Sequence, residues 1–392
     1  MSNVVAQYNN LCNPNHHSTQ PKTIKLNIWQ PWLFVAPFPF SNPIPMVNVI
    51  KHGVILNKTD HKFENEGVLN PAAIREGNFV HLFYRAVSKG NHSSIGYCKF
   101  EGPMTLAERL ETPLLTPEFD YELHGMEDPR IVKIEDLYYL TYTAYDGLNA
   151  LGALATSTDL QHFEKQGLIV PKITYQEFNA LAEAKGLINE KYLRYNEHLR
   201  TFENQNNEAY LWDKNLIFFP RKINNDFCFL HRIKPDIQII VAVGDLKELT
   251  PEFWHNYFLH FDECIVLAPK YAHEVSYIGG GCPPIETEQG WVVIYHGVHD
   301  TLKGYVYSAC AALLDLEDPR KEIARLPYPL FVPAYAWELK GEVNNVCFPT
   351  GAALFEDTLY IYYGAADERI ACASVSLTEL LQELSLNLTK HE

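Results

Sequence analysis

Residues 127–146 read EDPRIVKIEDLYYLTYTAYD, two runs of aliphatic and aromatic residues on either side of a short polar turn. Runs of this kind around a polar turn predict a β-hairpin. The same unit, in which a proline precedes a strand, a turn and an aromatic-rich strand, occurs five times in the sequence. Its other copies are NPAAIREGNFVHLFYRAVS (70–88), FFPRKINNDFCFLHRIK (218–234), CPPIETEQGWVVIYHGVHD (282–300) and CFPTGAALFEDTLYIYYGAAD (347–367).

The spacing inside the unit is similar from copy to copy. Tyr84 lies 13 residues after Pro71, and Tyr142 lies 13 residues after Pro129. Most copies are followed by a third strand-like segment, such as SIGYCKF or RIACASVSL. Five similar antiparallel sheets predict an all-β fold, a five-bladed β-propeller. A β-sandwich would also supply many short strands, but it would not explain five copies of one unit.

The longest interval between copies predicts an insertion. It spans 91 residues, from Pro129 to Pro220, and contains TYQEFNALAEAKGLINEKYLRYNEHLRTF, whose apolar spacing is helical. We therefore expect a helical insert, about residues 174–212, between blades two and three. The segment SLTELLQELSLNL predicts a C-terminal helix that begins after a Ser or Thr cap. The expected domains are an irregular, proline-rich N-terminal extension, residues 1–45, and a single catalytic propeller domain, residues 46–392.

The amino-acid composition and net charge restrict the classes of binding partner and the cellular compartment that we expect. The 392 residues include 48 Asp and Glu against 32 Lys and Arg, a formal net charge of −16. That charge disfavours nucleic acid and anionic membranes, because both are bound by clustered Lys and Arg. The eight cysteines form no CxxC pair, so we expect free thiols in a reducing compartment. No signal peptide and no membrane-spanning apolar run is recognisable, and we expect a cytoplasmic protein.

Equivalent positions of the repeat should line one axial pocket, because the ends of the inner strands of a propeller converge there. Polar side chains at these positions fall into two sets. The first can bind sugar hydroxyls and transfer protons; it comprises Asn70, Glu127, Asp128, Arg130, Asp146 and Asp367. The second can hold an anion; it comprises Arg85, Lys214, Arg221, His231, Arg232, Tyr295 and His296.

Each of these residues also has a structural interpretation. Asp–Pro is a frequent turn opener, and EDPR recurs at residues 317–320, where we expect a surface turn. Arg85 on an inner strand also fits an ion pair with a core carboxylate. His231 and His296 also fit hydrogen-bonded core positions. The functional interpretation rests on the joint recurrence of these residues at equivalent ends of the repeat.

At these residues the sequence resembles glycoside hydrolase family 130, the β-mannoside phosphorylases and related β-mannosidases. The resemblance runs from about Asn70 to Ser376. It is carried by NPA with FYRAV, HGMEDPRI with YLTYTAYDG, STDLQHFEKQGLIVP, FFPRKI with FLHR, PPIETEQGWVVIYHGV, ALLDLEDP, ARLPYPL, FPTGA and YYGAAD. The order and spacing of these segments together are highly specific.

The resemblance implies a five-bladed propeller and inverting phosphorolysis of a terminal β-mannoside. The products would be α-mannose 1-phosphate and a shortened sugar, in a reversible reaction. It implies that Asp128 is the general acid and that the YRA, LHR and YHG segments contribute to a phosphate site. Inorganic phosphate is then a co-substrate. The resemblance implies no metal and no organic cofactor, and it suggests a homo-oligomer.

The sequence departs from the family pattern in a few places. Many members carry Glu at the position of Arg221 and Pro at that of Cys282, and small or apolar residues are common where Glu368 and Arg369 stand. The insert is also long. These departures affect the expected acceptor sugar and linkage more than the mannosyl site.

Two alternatives stay open at this stage. One is an inverting β-mannosidase on the same fold, with Asp128 as the acid and Glu286 or Glu342 supporting a water molecule. The other is a non-catalytic propeller that binds glycans or proteins. The basic set favours the phosphorylase, because a hydrolase needs no phosphate site and a silent propeller needs neither set.

Overall fold

A computed structural model of the chain describes residues 47–184, 188–203 and 208–389. The chain divides into two compact units, Met1–Ile44 and Pro45–Glu392, and every described residue lies in the second. The predicted N-terminal extension, residues 1–45, lies outside the described residues. Strands far outnumber helices in the described ranges, as the all-β prediction requires. No helix within those ranges is both long and apolar enough to cross a membrane.

The strands form five antiparallel groups, and the chain enters them through an outer strand, β1 (Ile50–Leu56). Group 1 comprises β2 (Gly67–Glu76), β3 (Phe79–Ser88), β4 (His92–Glu101) and β5 (Thr105–Arg109). Group 2 comprises β6 (Gly125–Ile134), β7 (Leu137–Tyr145), β8 (Ala150–Ser157) and β9 (Glu164–Leu168). Group 3 comprises β10 (Lys214–Phe218), β11 (Phe227–Arg232), β12 (Ile237–Val243) and β13 (Ile265–Leu267).

The remaining strands complete two further groups. Group 4 comprises β14 (Tyr277–Gly280), β15 (Ile285–Thr287), β16 (Gly290–Thr301), β17 (Gly304–Leu314) and β18 (Glu322–Arg325). Group 5 comprises β19 (Cys347–Phe355), β20 (Thr358–Ala365), β21 (Arg369–Ser376) and the outer strand β1. Because β1 pairs antiparallel with β21, the first described strand completes the sheet that the last three strands begin.

Neighbouring groups contact each other through their inner strands. Groups 1 and 2 join into one eight-stranded sheet through a single parallel pair, Ser93 with Gly125. Strand β2 packs against both β6 and β19, β10 packs against β6 and β14, and β16 packs against β19. The five groups therefore follow one another in sequence order, and the first and fifth are also neighbours.

Each predicted hairpin is present, but in the third copy the proline lies at a different position relative to the strands than in the first two copies. Pro71 and Pro129 lie inside β2 and β6, whereas Pro220 follows the end of β10. The alignment of the third copy on its proline was therefore wrong. Pairing between β10 and β11 instead makes Asn215 the counterpart of Asp128. A proline has no N–H to give to a ladder, so it marks a strand end as readily as a bulge.

A bulge recurs at this place in the inner strands. The pairing register shifts by one residue at an equivalent point of β2, β6 and β10. Asn70, Asp128 and Asn215 have left-handed backbone there, with φ of 50°, 49° and 54°. Asn and Asp adopt this conformation more easily than other residues with a side chain. Bulges re-aim side chains, and these three bulges lie at the same end of their groups.

Two helices lie where the sequence predicts a helical insert, namely α1 (Tyr175–Ala182) and α2 (Glu190–Glu203). Thr174 begins α1 with a capping box, in which its hydroxyl and the Glu177 carboxylate each accept a backbone N–H of the other residue. A third helix, α3 (Pro251–Leu259), packs against α1 and was not predicted. Its start has Thr as N-cap and Pro at the first helical position, and this pattern is the signal that identifies it.

Two short helices complete the described chain. Helix α4 (Ala336–Leu339) lies between groups 4 and 5. Helix α5 (Leu377–Leu386) lies where the C-terminal helix is predicted, and the Ser376 hydroxyl caps it by accepting from the N–H of Glu379.

Four of the five groups share a buried triad of glutamate, tyrosine and a cation. The carboxylate is fully buried, accepts a hydrogen bond from a tyrosine of the second strand and lies beside a Lys or Arg. These Glu–Tyr–cation triads are Glu64–Tyr84–Arg109, Glu122–Tyr142–Lys165, Glu274–Tyr295–Arg325 and Glu338–Tyr363–Lys51. A buried carboxylate is tolerated only when it is paired and hydrogen-bonded, so each triad fixes the segment that leads into its group.

Candidate active site

Five of the predicted site residues form one polar cluster where β2, β6 and β10 meet. Asn70 Nδ2 donates to Asp128 Oδ1 at 2.7 Å. Arg85 Nη2 lies 2.8 Å from Glu127 Oε1, and its Nη1 lies 4.0 Å from Asp128 Oδ1. Lys214 Nζ lies 3.3 Å from Glu127 Oε2. Arg85 and Lys214, both predicted to bind phosphate, are thus paired with carboxylates.

Asp128 is held in its ionised form. Burial alone would raise the pKa of this carboxyl, but the positive charges of Arg85, Lys214 and Arg130, together with the hydrogen bond from Asn70, hold it below its ordinary value. The bulge places the carboxylate against these partners. A group in this state accepts hydrogen bonds, and it donates a proton only after a change in its surroundings.

A second carboxyl, Asp367, lies beside Asp128 and has the opposite property. It occupies the turn between β20 and β21, with a φ of 51°. Burial and the negative charge of Asp128 raise the pKa of Asp367 to about 7. Two neighbouring carboxyls whose pKa values are driven apart can hold one proton between them near neutral pH.

Three basic side chains from groups 3 and 4 form a second cluster, Arg232, Lys234 and His296. Lys234 Nζ lies 4.0 Å from the centre of the Tyr277 ring, and the guanidinium carbon of Arg232 lies 5.6 Å from the same centre. His296 is fully buried and packs on Phe348, with ring centroids 4.3 Å apart.

The basic cluster holds polar atoms that lack partners among the described residues. Both ring nitrogens of His296 and Nε of Arg232 are buried without a hydrogen bond. Burial, with the positive charges of Arg232, Arg130 and Lys234, lowers the pKa of His296 well below its usual range. Burial, with Arg232 and Lys214, likewise lowers the pKa of Lys234. Such a crowd of unpaired donors is the environment in which an anion binds most favourably.

The close packing of His296 and Arg232 requires a glycine at position 279. A Cβ at Gly279 would lie 2.5 Å from the His296 ring and 3.0 Å from Cδ of Arg232. The two clusters are also electrostatically linked, because Asp128 lies close enough to Arg232 to favour its charged form. The site therefore combines a carboxyl pair with an adjacent unpaired basic group.

Two residues predicted for phosphate binding face away from the basic cluster. Successive side chains of a strand face opposite sides, so His231 and Arg232 cannot share a face, nor can Tyr295 and His296. His231 Nδ1 lies 2.8 Å from Asp213, and its Nε2 lies 2.7 Å from the Tyr257 hydroxyl. Tyr295 belongs to a Glu–Tyr–cation triad. His231 and Tyr295, both predicted to bind phosphate, therefore have hydrogen-bond partners in the core, away from Arg232 and His296.

Three other predicted residues have structural partners. Arg221 lies outside both clusters, where its Nε pairs with the half-exposed Glu286 at 2.7 Å. The guanidinium of Arg130 donates to four backbone carbonyls, two from its own strand and two from Gly280 and Gly281. The Asp146 carboxylate accepts from the turn that follows β7. Arg221, predicted to bind phosphate, thus lies away from the basic cluster. Arg130 supports the polar cluster through its hydrogen bonds to the backbone.

Lys234 is the site residue that the sequence prediction missed. It lies two positions after Arg232, in the turn that follows β11, and its ammonium group lies over the same Tyr277 ring as the Arg232 guanidinium. The segment HRIK places these two cations close together in the sequence. Alternation within β11 and β16 separates Arg232 from His231 and His296 from Tyr295.

Among the described residues, one group has metal-ligand composition, His273, Glu274 and Cys310. The Glu274 carboxylate already accepts from Tyr295, from Arg325 and from the N–H groups of Lys270 and Tyr271. Burial also raises the pKa of the Cys310 thiol strongly, which disfavours the thiolate that a metal needs. This group belongs to the structural triad of group 4.

Several solved structures share this fold. One is the beta-1,2-mannobiose phosphorylase from Listeria innocua in complex with beta-1,2-mannobiose. It superposes with a TM-score of 0.64 at 23% identity, over 87% of this chain and 100% of that chain. At this identity the likeness establishes the fold alone.

Sequence comparison identifies the family. A 1,2-beta-oligomannan phosphorylase from Thermoanaerobacter sp. (strain X514) is 33% identical over 338 residues, 83% of this chain and 96% of the relative. A beta-1,2-mannobiose phosphorylase from the same organism is 34% identical over 333 residues, 81% of this chain and 92% of the relative. The model of glycoside hydrolase family 130, described as beta-1,4-mannooligosaccharide phosphorylase, matches residues 42–193 and 189–386. The chain belongs to this family, as its sequence motifs indicate.

Proposed function

We propose that this protein is an inverting β-mannoside phosphorylase. It cleaves a terminal β-mannoside with inorganic phosphate and releases α-mannose 1-phosphate and a shortened sugar. The observation that carries the proposal is the unpaired basic cluster of Arg232, Lys234 and His296 beside the carboxyl pair Asp128 and Asp367. A hydrolase needs a second carboxylate to activate water at that place, not a group of buried cations.

The five strand groups are the blades of a β-propeller in this proposal, within a single catalytic domain over residues 46–392. Two features support it. The groups are neighbours in sequence order, with group 5 next to group 1. The Glu–Tyr–cation triad also recurs in four of them, which indicates repetition of one structural unit. The catalytic cluster then lies at the axis, where the bulges of β2 and β6 converge.

The basic cluster is the phosphate site. Arg232 and Lys234 supply charged donors, and His296 donates from one ring nitrogen. Bound phosphate brings negative charge into a region where burial and mutual repulsion disfavour the cationic forms of Lys234 and His296. Bound phosphate therefore favours the protonated forms of Lys234 and His296, and these two side chains then hold the phosphate more tightly. No metal or organic cofactor has a role in this scheme.

The carboxyl cluster binds the mannosyl unit and supplies the proton. Asn70, Arg85, Glu127 and Asp367 face the sugar hydroxyls, and Asp128 is the general acid. Substrate displaces water and phosphate adds negative charge nearby, and both changes raise the pKa of Asp128 toward the value an acid needs. Asp367 holds a proton near neutral pH and is the nearest source from which Asp128 can be protonated.

The chemical step forms one bond at C1 of the mannosyl unit and breaks another. A phosphate oxygen attacks C1 of the mannosyl unit from the face opposite the leaving oxygen, and the C1–O bond to the acceptor breaks. The proton of Asp128 passes to the departing oxygen, which leaves as the hydroxyl of the shortened sugar. The new C1–O–P bond has inverted configuration, so a β-mannoside gives the α-phosphate.

The linkage we propose is β-1,2. The two relatives that cover more than four-fifths of this chain are named for β-1,2-linked substrates. We also propose a cytoplasmic location, because all seven cysteines among the described residues are free thiols. Association into a homo-oligomer is a further proposal, and it rests on the family resemblance alone.

Three variants test the assignment of the site. Asp128→Asn should lower kcat at least about a hundredfold, because an amide cannot deliver the proton. Arg232→Ala should raise KM for phosphate about tenfold or more, with KM for the mannoside within about twofold, because it removes a charged donor from phosphate. Arg221→Ala, a cation outside both clusters, serves as the matched control and should change neither constant.

These variants are assayed as initial rates of mannose 1-phosphate formation from β-1,2-mannobiose, with circular dichroism to verify folding. Near-normal turnover by a folded Asp128→Asn protein would overturn the assignment of the acid. An equal loss of affinity for both substrates in Arg232→Ala would mean that the basic cluster is not a phosphate site.

A further inference from the structure

A cavity of about 690 Å³ lies beside the carboxyl pair and has no role in the scheme above. Its size is within the usual range of ligand pockets. Its walls come from the segment that leads into β2, from α4 with the residues after it, and from the start of β21. The side chains that matter here are Lys58, Glu66, Trp337, Lys340, Glu342 and Arg369.

The cavity lies next to the catalytic cluster. Its wall includes Glu368, the residue after Asp367. The negative charge of Glu342 contributes to the raised pKa of Asp367, so the two side chains are close. The carbonyl of Glu368 also accepts from the N–H of Val68, two residues before Asn70. The cavity therefore begins where the proposed mannosyl site ends.

The cavity and the basic cluster are built from different strand groups. Its walls belong to groups 5 and 1 and to the segments that lead into them, whereas Arg232, Lys234 and His296 belong to groups 3 and 4. Inversion requires the nucleophile and the leaving oxygen to occupy opposite faces of the sugar ring. If phosphate binds on one side of the mannosyl unit, the departing chain must extend toward the other, where this cavity lies.

The lining suits a neutral, polyhydroxylated ligand. Three cations and three carboxylates balance each other around the cavity, and Lys58 pairs with Glu368 at 3.6 Å while Arg369 pairs with the same carboxylate. Balanced charge offers donors and acceptors to hydroxyl groups without selecting a charged ligand. Trp337 adds an aromatic ring whose position is fixed by Tyr335, stacked on it with centroids 4.5 Å apart and 3° between the planes.

We propose that this cavity binds the sugar units that follow the first leaving residue, so that the protein prefers β-mannan oligosaccharides of three or more units over the disaccharide. This inference rests on the proposed phosphorylase function. It gives Glu368 and Arg369 a role, because their charged groups line the extended part of the site.

The test compares phosphorolysis of β-1,2-mannobiose, mannotriose and mannotetraose at saturating phosphate. For the wild-type protein, kcat/KM should rise at least about fivefold from the disaccharide to the trisaccharide. Trp337→Ala should bring the ratio of trisaccharide to disaccharide kcat/KM down to about one, since it removes an aromatic contact available only to the longer substrate. Phe79→Ala removes another exposed aromatic ring, at the turn between β2 and β3, and should leave the ratio unchanged.

A second variant guards against a folding defect in Trp337→Ala, whose ring is half-buried. Glu342 is exposed, so Glu342→Ala should fold normally and should also lower the ratio. Equal kcat/KM for all three lengths in an active wild-type protein would refute this inference and leave the phosphorylase proposal intact. Absence of mannose 1-phosphate from every length would refute the phosphorylase proposal itself.

Discussion

Asp367 should destabilise the folded protein above neutral pH, and Asp367→Asn should remove that cost. The ordinary pKa of an aspartate is 3.8, and burial beside Asp128 raises that of Asp367 to about 7. Between these two values the folded state retains a proton that the unfolded state has lost. The free energy of unfolding therefore declines as pH rises from about 4 to about 7, and the decline is complete above pH 7. Asn cannot ionise, so the variant lacks this decline.

The size of the effect follows from the same two values. One pKa unit corresponds to about 1.4 kcal/mol, so the cost of ionising Asp367 in the folded state is about 4 kcal/mol. For the unit Pro45–Glu392, an unfolding entropy of about 2 cal/mol/K per residue converts this into an increase in Tm of about 6 °C. The gain should appear at pH 8.5 and be small at pH 4, which is close to the ordinary pKa of 3.8, so that little of the cost has accumulated there.

The assay is differential scanning fluorimetry of the wild type and Asp367→Asn across this pH range. Asp136→Asn is the control, because Asp136 is exposed in the turn between β6 and β7. It should change Tm by less than about 1 °C at every pH. An Asp367→Asn variant whose Tm difference is the same at pH 4 and pH 8.5 would refute the argument, since a pH-independent difference cannot arise from ionisation of this carboxyl.

Two further pairs of variants test the placement of individual residues. His296→Ala should raise KM for phosphate about tenfold, whereas Tyr295→Phe, on the opposite face of β16, should leave it within about twofold; equal effects in steady-state kinetics would contradict the face assignment. Glu122→Gln should lower the free energy of unfolding by about 3–5 kcal/mol in urea titrations, because it leaves the buried Lys165 charge unpaired. Glu286→Gln, at an exposed ion pair, should lower it by less than about 0.5 kcal/mol, and comparable losses would mean that the triads are not structural.

The repeat pattern predicted the strand groups because each copy carries its own complete local signal. Alternating apolar residues and a polar turn specify a hairpin without reference to the rest of the chain. The third copy shows the limit of that reasoning. Its proline lies after β10, and only the pairing with β11 reveals that Asn215, not a residue beside Pro220, corresponds to Asp128. The missed helix α3 has a capping signal, but its aromatic residues fit a strand equally well.

The candidate site was predicted in part for the same reason. Asn70, Glu127 and Asp128 follow from the repeat, because a bulge at an equivalent place aims their side chains together. The core partners of His231 and Tyr295 were not predicted, because the repeat marks a strand position without marking its face. Their buried partners, an aspartate and a triad glutamate, come from segments outside the repeat unit. The difference in pKa between Asp128 and Asp367 depends on burial and on distances in the folded chain, and the sequence spacing does not encode these.

The most direct test of the central claim is a time course by phosphorus NMR of the purified protein with β-1,2-linked mannan oligosaccharides and inorganic phosphate. The account predicts that the phosphate signal declines while the signal of an α-mannosyl phosphate rises in equal amount, and that nothing happens to the sugar when phosphate is left out. Free mannose formed at the same rate with and without phosphate, and with no change in the phosphorus spectrum, would contradict it.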